Sequence, residues 1–193
     1  MPSIILASSS KYRRQLLEKL EVSFSSAAPD IDESALPDET AQALVERLAL
    51  AKANALSNTY PNHLIIGSDQ VADLNGRILT KPGNHEAALE QLLSCQGQKV
   101  TFHTGLCLLN SETGKHQLKN VTTDVIFREL SAEQLDNYLR REQPYDCAGS
   151  FKCEGLGITL FSEIRSTDPD ALIGLPLIEL TSMLINEGAH PLN

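Results

Sequence analysis

The sequence lacks a surplus of basic residues, and this limits the ligands that it can bind. Its 25 Asp and Glu residues against 16 Lys and Arg give a formal net charge of −9 at pH 7. Non-specific nucleic-acid binding requires many Lys and Arg side chains that neutralise phosphates, so the charge balance argues against a nucleic-acid partner. A small anionic ligand remains compatible with it, because a local basic cluster is enough to hold one.

The sequence also lacks any apolar run long enough to span a bilayer. The N-terminus offers only Ile4-Ile5-Leu6-Ala7 before polar residues, which is too short for the apolar region of a signal peptide. We therefore expect a cytoplasmic protein with no membrane partner.

Several common catalytic signatures are missing. The four cysteines form no C-x-x-C pair and have no histidine at zinc spacing, so they are most simply core or surface thiols. The motifs G-x-S-x-G, G-x-x-x-x-G-K-[ST] and G-x-G-x-x-G do not occur, so a hydrolase triad, a P-loop and a Rossmann cofactor have no support.

What is present is a mixed pattern of strands and helices in a chain of 193 residues, enough for one domain or at most two lobes with a sizeable core. Hydrophobic periodicity, helix caps and turn residues predict an α/β fold around a long twisted sheet. The strands are predicted at residues 3–7, 22–28, 64–69, 71–74, 77–80, 99–110, 116–127 and 157–164, and the helices at 11–20, 40–56, 84–95, 131–141 and 175–186.

The stretch Leu64-Ile65-Ile66-Gly67-Ser68-Asp69-Gln70 places a carboxylate directly after a buried strand. The three branched apolar residues fit a strand covered on both faces. The apolar run stops at Gly67, and we expect the strand to end at Asp69. Ligands of open α/β sheets bind outside strand ends, so Asp69 is either a turn former or a working acid.

A second candidate region is the serine-rich loop after the first strand, which leads into a helix. Free backbone N–H groups and the positive end of the helix dipole favour an anion there. Lys11, Arg13 and Arg14 stand at this helix start, where basic residues oppose the dipole, and this conflict favours a functional role. The guanidinium of Arg13 could bind two phosphate oxygens.

Further charged residues stand at isolated positions. Glu33 in the acidic loop 29–33 could hold Mg²⁺, or the loop could be merely solvated. Lys52 lies on the apolar face of its helix, pointing inward or snorkelling to solvent. Lys81 precedes Pro82, which holds the chain extended. Carboxylates together with isolated cations are the mixture that phosphoryl transfer requires.

Eight short segments, in order along nearly the whole chain, resemble the signatures of the Maf family of nucleoside triphosphate pyrophosphatases. They are Ile5-Leu6-Ala7-Ser8-Ser9-Ser10 with Arg13-Arg14, Pro29-Asp30-Ile31-Asp32-Glu33, Lys52-Ala53, Gly67-Ser68-Asp69-Gln70, Lys81-Pro82, Gly97 to Thr104-Gly105, Asp146-Cys147-Ala148-Gly149-Ser150 and Gly174-Leu175-Pro176-Leu177.

The resemblance implies a fold of the Maf or ITPase type, in which helices cover both sides of a long twisted mixed sheet and two lobes surround a nucleotide-binding cleft. It implies a single domain over residues 1–193, usually in a homodimer, and Mg²⁺- or Mn²⁺-dependent hydrolysis of a nucleoside triphosphate to the monophosphate and pyrophosphate. The implied site residues are Asp69 as general base and metal ligand, Glu33 as metal ligand, and Ser8, Arg13, Lys52 and Lys81 as phosphate ligands.

Within the family, the positions of Tyr12, Gln70 and Glu154 vary with the substrate, and here they resemble the branch that prefers 7-methyl-GTP. The methylated guanine ring is cationic and can stack on a tyrosine face. The carboxylate of Glu154 could accept the two N–H groups of the guanine edge. The alternatives are dTTP and UTP as substrates, or a nucleotide-binding regulator of septation. The implied biological role is house-cleaning of the nucleotide pool.

Overall fold

The computed structural model describes residues 2–193 and contains strands and helices in nearly strict alternation over its first half. The strands are β1 Ser3–Ala7, β2 Phe24–Ala27, β3 His63–Leu74, β4 Arg77–Leu79, β5 Lys99–Asn110, β6 His116–Phe127 and β7 Phe161–Ser166. The α-helices are α1 Lys11–Glu18, α2 Ala41–Ala55, α3 His85–Cys95, α4 Ala132–Glu142 and α5 Leu177–Asn186. Short 3-10 helices occur at Ala148–Ser150, Leu156–Leu160 and Pro169–Ile173.

The strands form one mixed sheet in the order β2-β1-β3-β5-β6-β7, and β4 pairs separately with β3. Strand β1 runs parallel to both β2 and β3, as expected for strands joined through helices. The pairs β3–β4 and β6–β7 are antiparallel. The predicted mixed α/β sheet is therefore confirmed.

The chain divides into two compact units, each built from separate segments. The first unit contains the chain up to Asp69, residues 104–121 and residues 168–193. The second unit contains residues 70–103 and 122–167.

In the first unit, alternate residues of the sheet supply two hydrophobic clusters. One cluster joins Ile4 and Leu64 to side chains of α1 and α5, and the other joins Ile5 and Ile65 to side chains of α2. Because successive side chains of a strand point to opposite faces, these clusters place helices on both sides of the sheet, as predicted.

Helix α2 packs directly against the sheet backbone at two glycines. A Cβ at Gly67 would lie 2.1 Å from the carbonyl oxygen of Ala49, and one at Gly105 would lie 2.2 Å from that of Val45. No other residue can occupy these positions without displacing the helix. Gly67 therefore sets the distance between β3 and the helix that carries Lys52.

The prediction that the strand ends at Asp69 is wrong, because β3 continues unbroken from His63 to Leu74. Asp69 consequently lies within a strand rather than at its exit. The sequence suggested an end because the apolar run stops at Gly67 and polar residues follow. A buried carboxylate is costly only without a partner, and that of Asp69 has the buried Lys52 beside it. The glycine that resembled a strand terminator is the contact point for α2.

The strand predicted at residues 157–164 is also partly wrong. Residues Leu156–Leu160 form a 3-10 helix, and β7 begins only at Phe161. The backbone N–H of Leu156 donates to Oε2 of Glu142 at 2.8 Å, and a Cβ at Gly157 would lie 2.4 Å from the carbonyl oxygen of Lys152. These local contacts favour the tight turn over an extended chain.

Four of the five predicted helix starts and the hairpin are confirmed, whereas α5 begins at Leu177, two residues after its predicted start. Ser10, Thr40, Asn84 and Ser131 each accept a hydrogen bond from the backbone N–H three residues later, the usual N-cap arrangement. Asn75 and Gly76 both have positive φ in the turn between β3 and β4. Within residues 2–193, no helix is both long and apolar enough to cross a membrane.

Candidate active site

The centre of the candidate site is a buried ion pair between α2 and β3. The ammonium of Lys52 donates to Oδ1 of Asp69 at 2.7 Å, and the two side chains are only 6% and 10% exposed. Lys52 therefore points inward, which decides between the two orientations that the sequence left open. Each charge compensates the cost of burying the other.

A second carboxylate meets the same ammonium from the acidic loop. Oε1 of Glu33 lies 3.1 Å from Nζ of Lys52, although the Glu33 side chain is 56% exposed. The cluster thus has a buried side, formed by Asp69, and a solvent-facing side, formed by Glu33. An ammonium has three donors, so Lys52 can still donate one hydrogen bond to a phosphate oxygen after these two pairs.

The guanidinium of Arg13 lies within electrostatic range of both carboxylates. Burial lowers the pKa of Arg13, and the negative charges of Asp69 and Glu33 oppose that shift. Its Nε donates to the carbonyl oxygen of Gly174 at 2.9 Å, which orients the planar group. The structure therefore brings two cations and two carboxylates together in the first unit.

The carbonyl of Gly174 has a second role that the sequence analysis missed. It also accepts a hydrogen bond of 3.0 Å from the hydroxyl of Ser68, the neighbour of Asp69 on β3. One backbone oxygen thus connects the strand that carries Asp69 to the guanidinium of Arg13. Gly174 has φ of +120°, which favours glycine, and this requirement was the available signal in the segment Gly174-Leu175-Pro176-Leu177.

The serine loop holds the start of α1 as expected. Ser8 is buried, and its hydroxyl accepts a hydrogen bond from the backbone N–H of Ser10 at 3.1 Å. Ser10 in turn caps α1. Tyr12 follows on the first turn and is half-buried, and the ammonium of Lys11 lies 5.0 Å from its ring centroid. The face of this ring therefore already attracts a cation.

The other predicted site residues belong to the second unit. Gln70 is half-buried on β3, and Lys81 is exposed just after β4. The backbone near Lys81 is held in place because the N–H of Gly83 donates to the carbonyl oxygen of Tyr145 at 3.0 Å. Glu154 is exposed in the turn before the 3-10 helix Leu156–Leu160. The roles of these three residues stay predictions.

Glu33 and Asp69 fit the donor set of a divalent cation. Mg²⁺ binds through one or two carboxylates and completes its shell with water and substrate phosphates. Glu33 and Asp69 already converge on one positive charge, the ammonium of Lys52. Among residues 2–193, no group of three or more His, Cys, Asp or Glu side chains could hold a metal. A cation at this place would therefore need further oxygen ligands from water or from the substrate.

The arrangement of buried carboxylate, ammonium and guanidinium has the charges that a phosphate group would need. Comparisons with known proteins identify the family of the chain. The sequence profile of the Maf-like protein family matches residues 3–187, so the chain belongs to the Maf family. The resemblance recognised in the sequence is thereby confirmed.

Three curated relatives cover almost the whole chain, and each is named 7-methyl-GTP pyrophosphatase. The relative from Pseudomonas savastanoi pv. phaseolicola is 60% identical over 97% of this chain and 98% of its own length. Relatives from Pseudomonas syringae pv. tomato and Pseudomonas syringae pv. syringae are 57% and 56% identical over the same shares of each chain. The solved structure of the Staphylococcus aureus Ham1 protein is 16% identical, covers 66% of this chain and 72% of its own, and gives a TM-score of 0.48.

Proposed function

We propose that this chain is a 7-methyl-GTP pyrophosphatase, which hydrolyses 7-methyl-GTP to the monophosphate and pyrophosphate. The observation that carries the reaction is the buried Lys52–Asp69 pair with Glu33 and Arg13 around it. The name shared by the three Pseudomonas relatives supports the choice of substrate.

In the proposed reaction, the carboxylate of Asp69 accepts a proton from water. The resulting hydroxide attacks the α-phosphorus, the anhydride bond between the α- and β-phosphates breaks, and pyrophosphate leaves. One water molecule is consumed for each triphosphate. Lys52 is hydrogen-bonded to Oδ1 of Asp69 and holds this carboxylate in one orientation, so that the other oxygen can face the water.

Arg13, Lys52 and Lys81 are proposed to bind the phosphates, with Ser8 at the helix start. Nε of Arg13 is held by the carbonyl of Gly174, so its two NH₂ groups are the atoms that a phosphate would meet. A Mg²⁺ or Mn²⁺ ion held by Glu33 and Asp69 would supply charge neutralisation at the phosphates. The positive charges of Arg13 and Lys52 already balance the negative charges of Glu33 and Asp69. The charge of such an ion would therefore offset the negative charge of the substrate.

Base recognition is proposed to involve Tyr12, Gln70 and Glu154. The ring face of Tyr12 already contacts the ammonium of Lys11, and methylated guanine would present a cationic ring to it. A cytoplasmic location, a homodimer and a house-cleaning role belong to the same proposal.

A panel of nucleoside triphosphates with detection of pyrophosphate tests the proposal directly. It should contain 7-methyl-GTP, GTP, dTTP and UTP, each with Mg²⁺, with Mn²⁺ and with EDTA. We expect the highest kcat/KM for 7-methyl-GTP and no turnover in EDTA. Preference for dTTP and UTP would assign the chain to the other substrate class, and recovery of bound, unhydrolysed nucleotide with either metal would favour a binding protein.

A further inference from the structure

Glu33 lies on a segment that has no secondary structure to hold it. Residues 28–40 are all described, and they form neither helix nor strand. The Glu33 side chain is more than half exposed, yet it lies 3.1 Å from Nζ of Lys52. An exposed carboxylate on an irregular loop loses conformational entropy when it is held in one place, and a single surface ion pair offsets little of that loss. Another contact must therefore restrain the loop.

That contact is made by Arg47, which projects from α2 toward the same loop. Its Nη2 donates to the carbonyl oxygen of Ser34, the residue after Glu33, at 2.9 Å. Its Nε and Nη2 also donate to Oε1 and Oε2 of Glu39 at 2.6 and 2.7 Å. One guanidinium thus connects the segment beside Glu33 to the end of the loop just before α2.

Two further hydrogen bonds complete the restraint. Oε2 of Glu39 accepts from the backbone N–H of Leu36 at 2.9 Å, and Oδ1 of Asp32 accepts from the N–H of Ser34 at 2.9 Å. The carboxylate of Glu39 is only 7% exposed, so its pair with Arg47 is better shielded from solvent than an ordinary surface pair. Arg47 and Glu39 therefore form the anchor of the whole segment.

Arg47 differs from Arg13 in how its donors are used. Arg47 donates through Nε and Nη2, to Glu39 and Ser34. Arg13 donates through Nε to the backbone carbonyl of Gly174. The hydrogen bonds to Glu39 raise the pKa of Arg47, and the negative charges of Asp32 and Asp69 add to that shift. The charge of Arg47 is thus influenced by Asp32 and Asp69, while its Nε and Nη2 atoms bind residues of the loop.

We propose that Arg47 is a positioning residue that holds Glu33 beside Lys52, through the carbonyl of Ser34 and the carboxylate of Glu39. The proposal rests on the function proposed above, in which Glu33 is a ligand of the divalent cation. It assigns Arg47 no contact with the substrate. Loss of Arg47 should therefore act on the reaction only through Glu33.

The test is a double-mutant cycle of Arg47→Met and Glu33→Gln, with kcat/KM measured over a titration of Mg²⁺. Substitution of groups that orient a metal ligand typically costs about 10- to 100-fold in activity or metal affinity, and we expect Arg47→Met to fall in that range. In the Glu33→Gln background, the same substitution should change kcat/KM by no more than about two-fold. An equal loss in both backgrounds would overturn the proposal.

The matched control is Arg165→Met. Arg165 makes the same two-pronged contact with a glutamate, Glu163, at 2.7 and 2.9 Å on β7. The Arg165→Met variant should leave kcat/KM unchanged. Arg47→Lys keeps a charge for Glu39 but has no fork to reach Ser34 as well, so it should lose activity while keeping most of the thermal stability. Full activity of Arg47→Lys would contradict the bridging role, and this variant also serves if Arg47→Met does not fold.

A readout that does not depend on turnover is cleavage after Glu33 by a glutamate-specific protease. Arg47→Met should be cut at Glu33 at least several times faster than the wild type, and Arg165→Met should be cut at the wild-type rate. Unchanged cleavage in Arg47→Met would refute the positioning role. If the wild type released no pyrophosphate from any triphosphate, the proposed function would fail, and the protease result would still decide whether Arg47 holds the loop.

Discussion

The ammonium of Lys52 lies 2.7 Å from Oδ1 of Asp69, and both side chains are buried between α2 and β3. Removing one partner of a buried pair leaves an uncompensated charge, which typically costs about 3–5 kcal/mol. We therefore expect Lys52→Met to lower the free energy of unfolding by that amount in urea titrations. Lys52→Met with Asp69→Asn should recover much of the loss, because the unpaired charge is gone. A double variant as unstable as Lys52→Met would show that the ammonium stabilises the fold by some other contact.

Asp69→Asn should abolish most of the turnover. The amide keeps the size of the side chain but cannot accept the proton from water. Loss of a general base typically lowers the rate about 10²- to 10⁴-fold. Single-turnover kinetics and nucleotide binding, measured separately, should show lost chemistry with binding largely retained.

The control for Asp69→Asn is Asp73→Asn on the same strand. Asp73 accepts a hydrogen bond from the N–H of Gly76 in the hairpin turn, and asparagine can accept it equally well. This variant should keep its activity. An Asp69→Asn enzyme that retained half the wild-type rate would exclude Asp69 as the base.

Gly67→Ala tests whether the spacing of α2 and β3 positions the Lys52–Asp69 pair. The added methyl group would lie 2.1 Å from the carbonyl oxygen of Ala49 and 3.0 Å from the backbone nitrogen of Ala53, the neighbour of Lys52. Overpacking of this kind usually costs about 1–3 kcal/mol. We expect both a lower Tm and a lower kcat/KM, because α2 must shift and carry Lys52 with it.

Gly114→Ala separates this effect from backbone strain. Gly114 has φ of +71°, and an added Cβ there would meet nothing within 4 Å. It should lower stability by about 1–2 kcal/mol through strain alone and leave kcat/KM unchanged. Equal losses of activity in the two variants would mean that Gly67 has no specific influence on the site.

Local signals were sufficient to predict most elements of this fold. Residues 99–110 and 116–127, predicted as strands, have those bounds in the structure, and the capping box at Ser131 and Gln134 starts α4. These predictions hold because strand periodicity and N-cap chemistry depend on nearby residues. The need for glycine at position 67 could not be predicted in this way. It arises from close contact with α2, a helix that begins at residue 41, well before Gly67 in the chain.

The candidate site was predictable in its residues but not in its geometry. The sequence supplied Arg13, Glu33, Lys52 and Asp69 through the family resemblance, and the structure brings them together in the first unit. It gave no sign that both carboxylates meet one ammonium. Arg47 was missed because an arginine on an exposed helix face looks like a solvated residue, and its importance depends on a loop thirteen residues earlier in the chain.

The pair of Glu39 and Arg47 should make stability depend on pH in the acid range. The hydrogen bonds from Arg47 lower the pKa of Glu39 from 4.5 to about 2. A carboxylate with a lowered pKa stabilises the folded state fully above its unfolded pKa, and the contribution is lost as the pH falls toward its folded pKa. The difference in Tm between the wild type and Glu39→Gln should therefore be constant above about pH 5 and shrink between pH 4.5 and 2.

A surface variant controls for the loss of one negative charge. Glu112 lies in the exposed turn between β5 and β6. The Glu112→Gln variant should not reproduce the change in the Tm difference at acid pH. A difference in Tm for Glu39→Gln that stayed constant down to pH 3 would show that protonation of Glu39 does not weaken the anchor.

Tyr12→Leu and Glu154→Gln test how the base is recognised. If Tyr12 stacks on the cationic methylguanine, Tyr12→Leu should lower kcat/KM for 7-methyl-GTP more than for GTP. The expected difference is the lost cation–π energy of about 0.5–2 kcal/mol, which is a few-fold to ~30-fold. Lys11 already lies 5.0 Å from this ring, so Lys11→Met should raise the preference for 7-methyl-GTP if the two cations compete for the same face.

Glu154→Gln keeps the shape of the side chain but replaces one of its two acceptor oxygens with a donor. It should weaken hydrolysis of 7-methyl-GTP and GTP, whose guanine edge offers two N–H donors, and spare UTP and dTTP. Asp69→Asn is the control that should depress every substrate together. If Tyr12→Leu and Glu154→Gln scaled all four substrates by one factor, neither residue would contact the base, and the proposed preference for 7-methyl-GTP would lose its physical support.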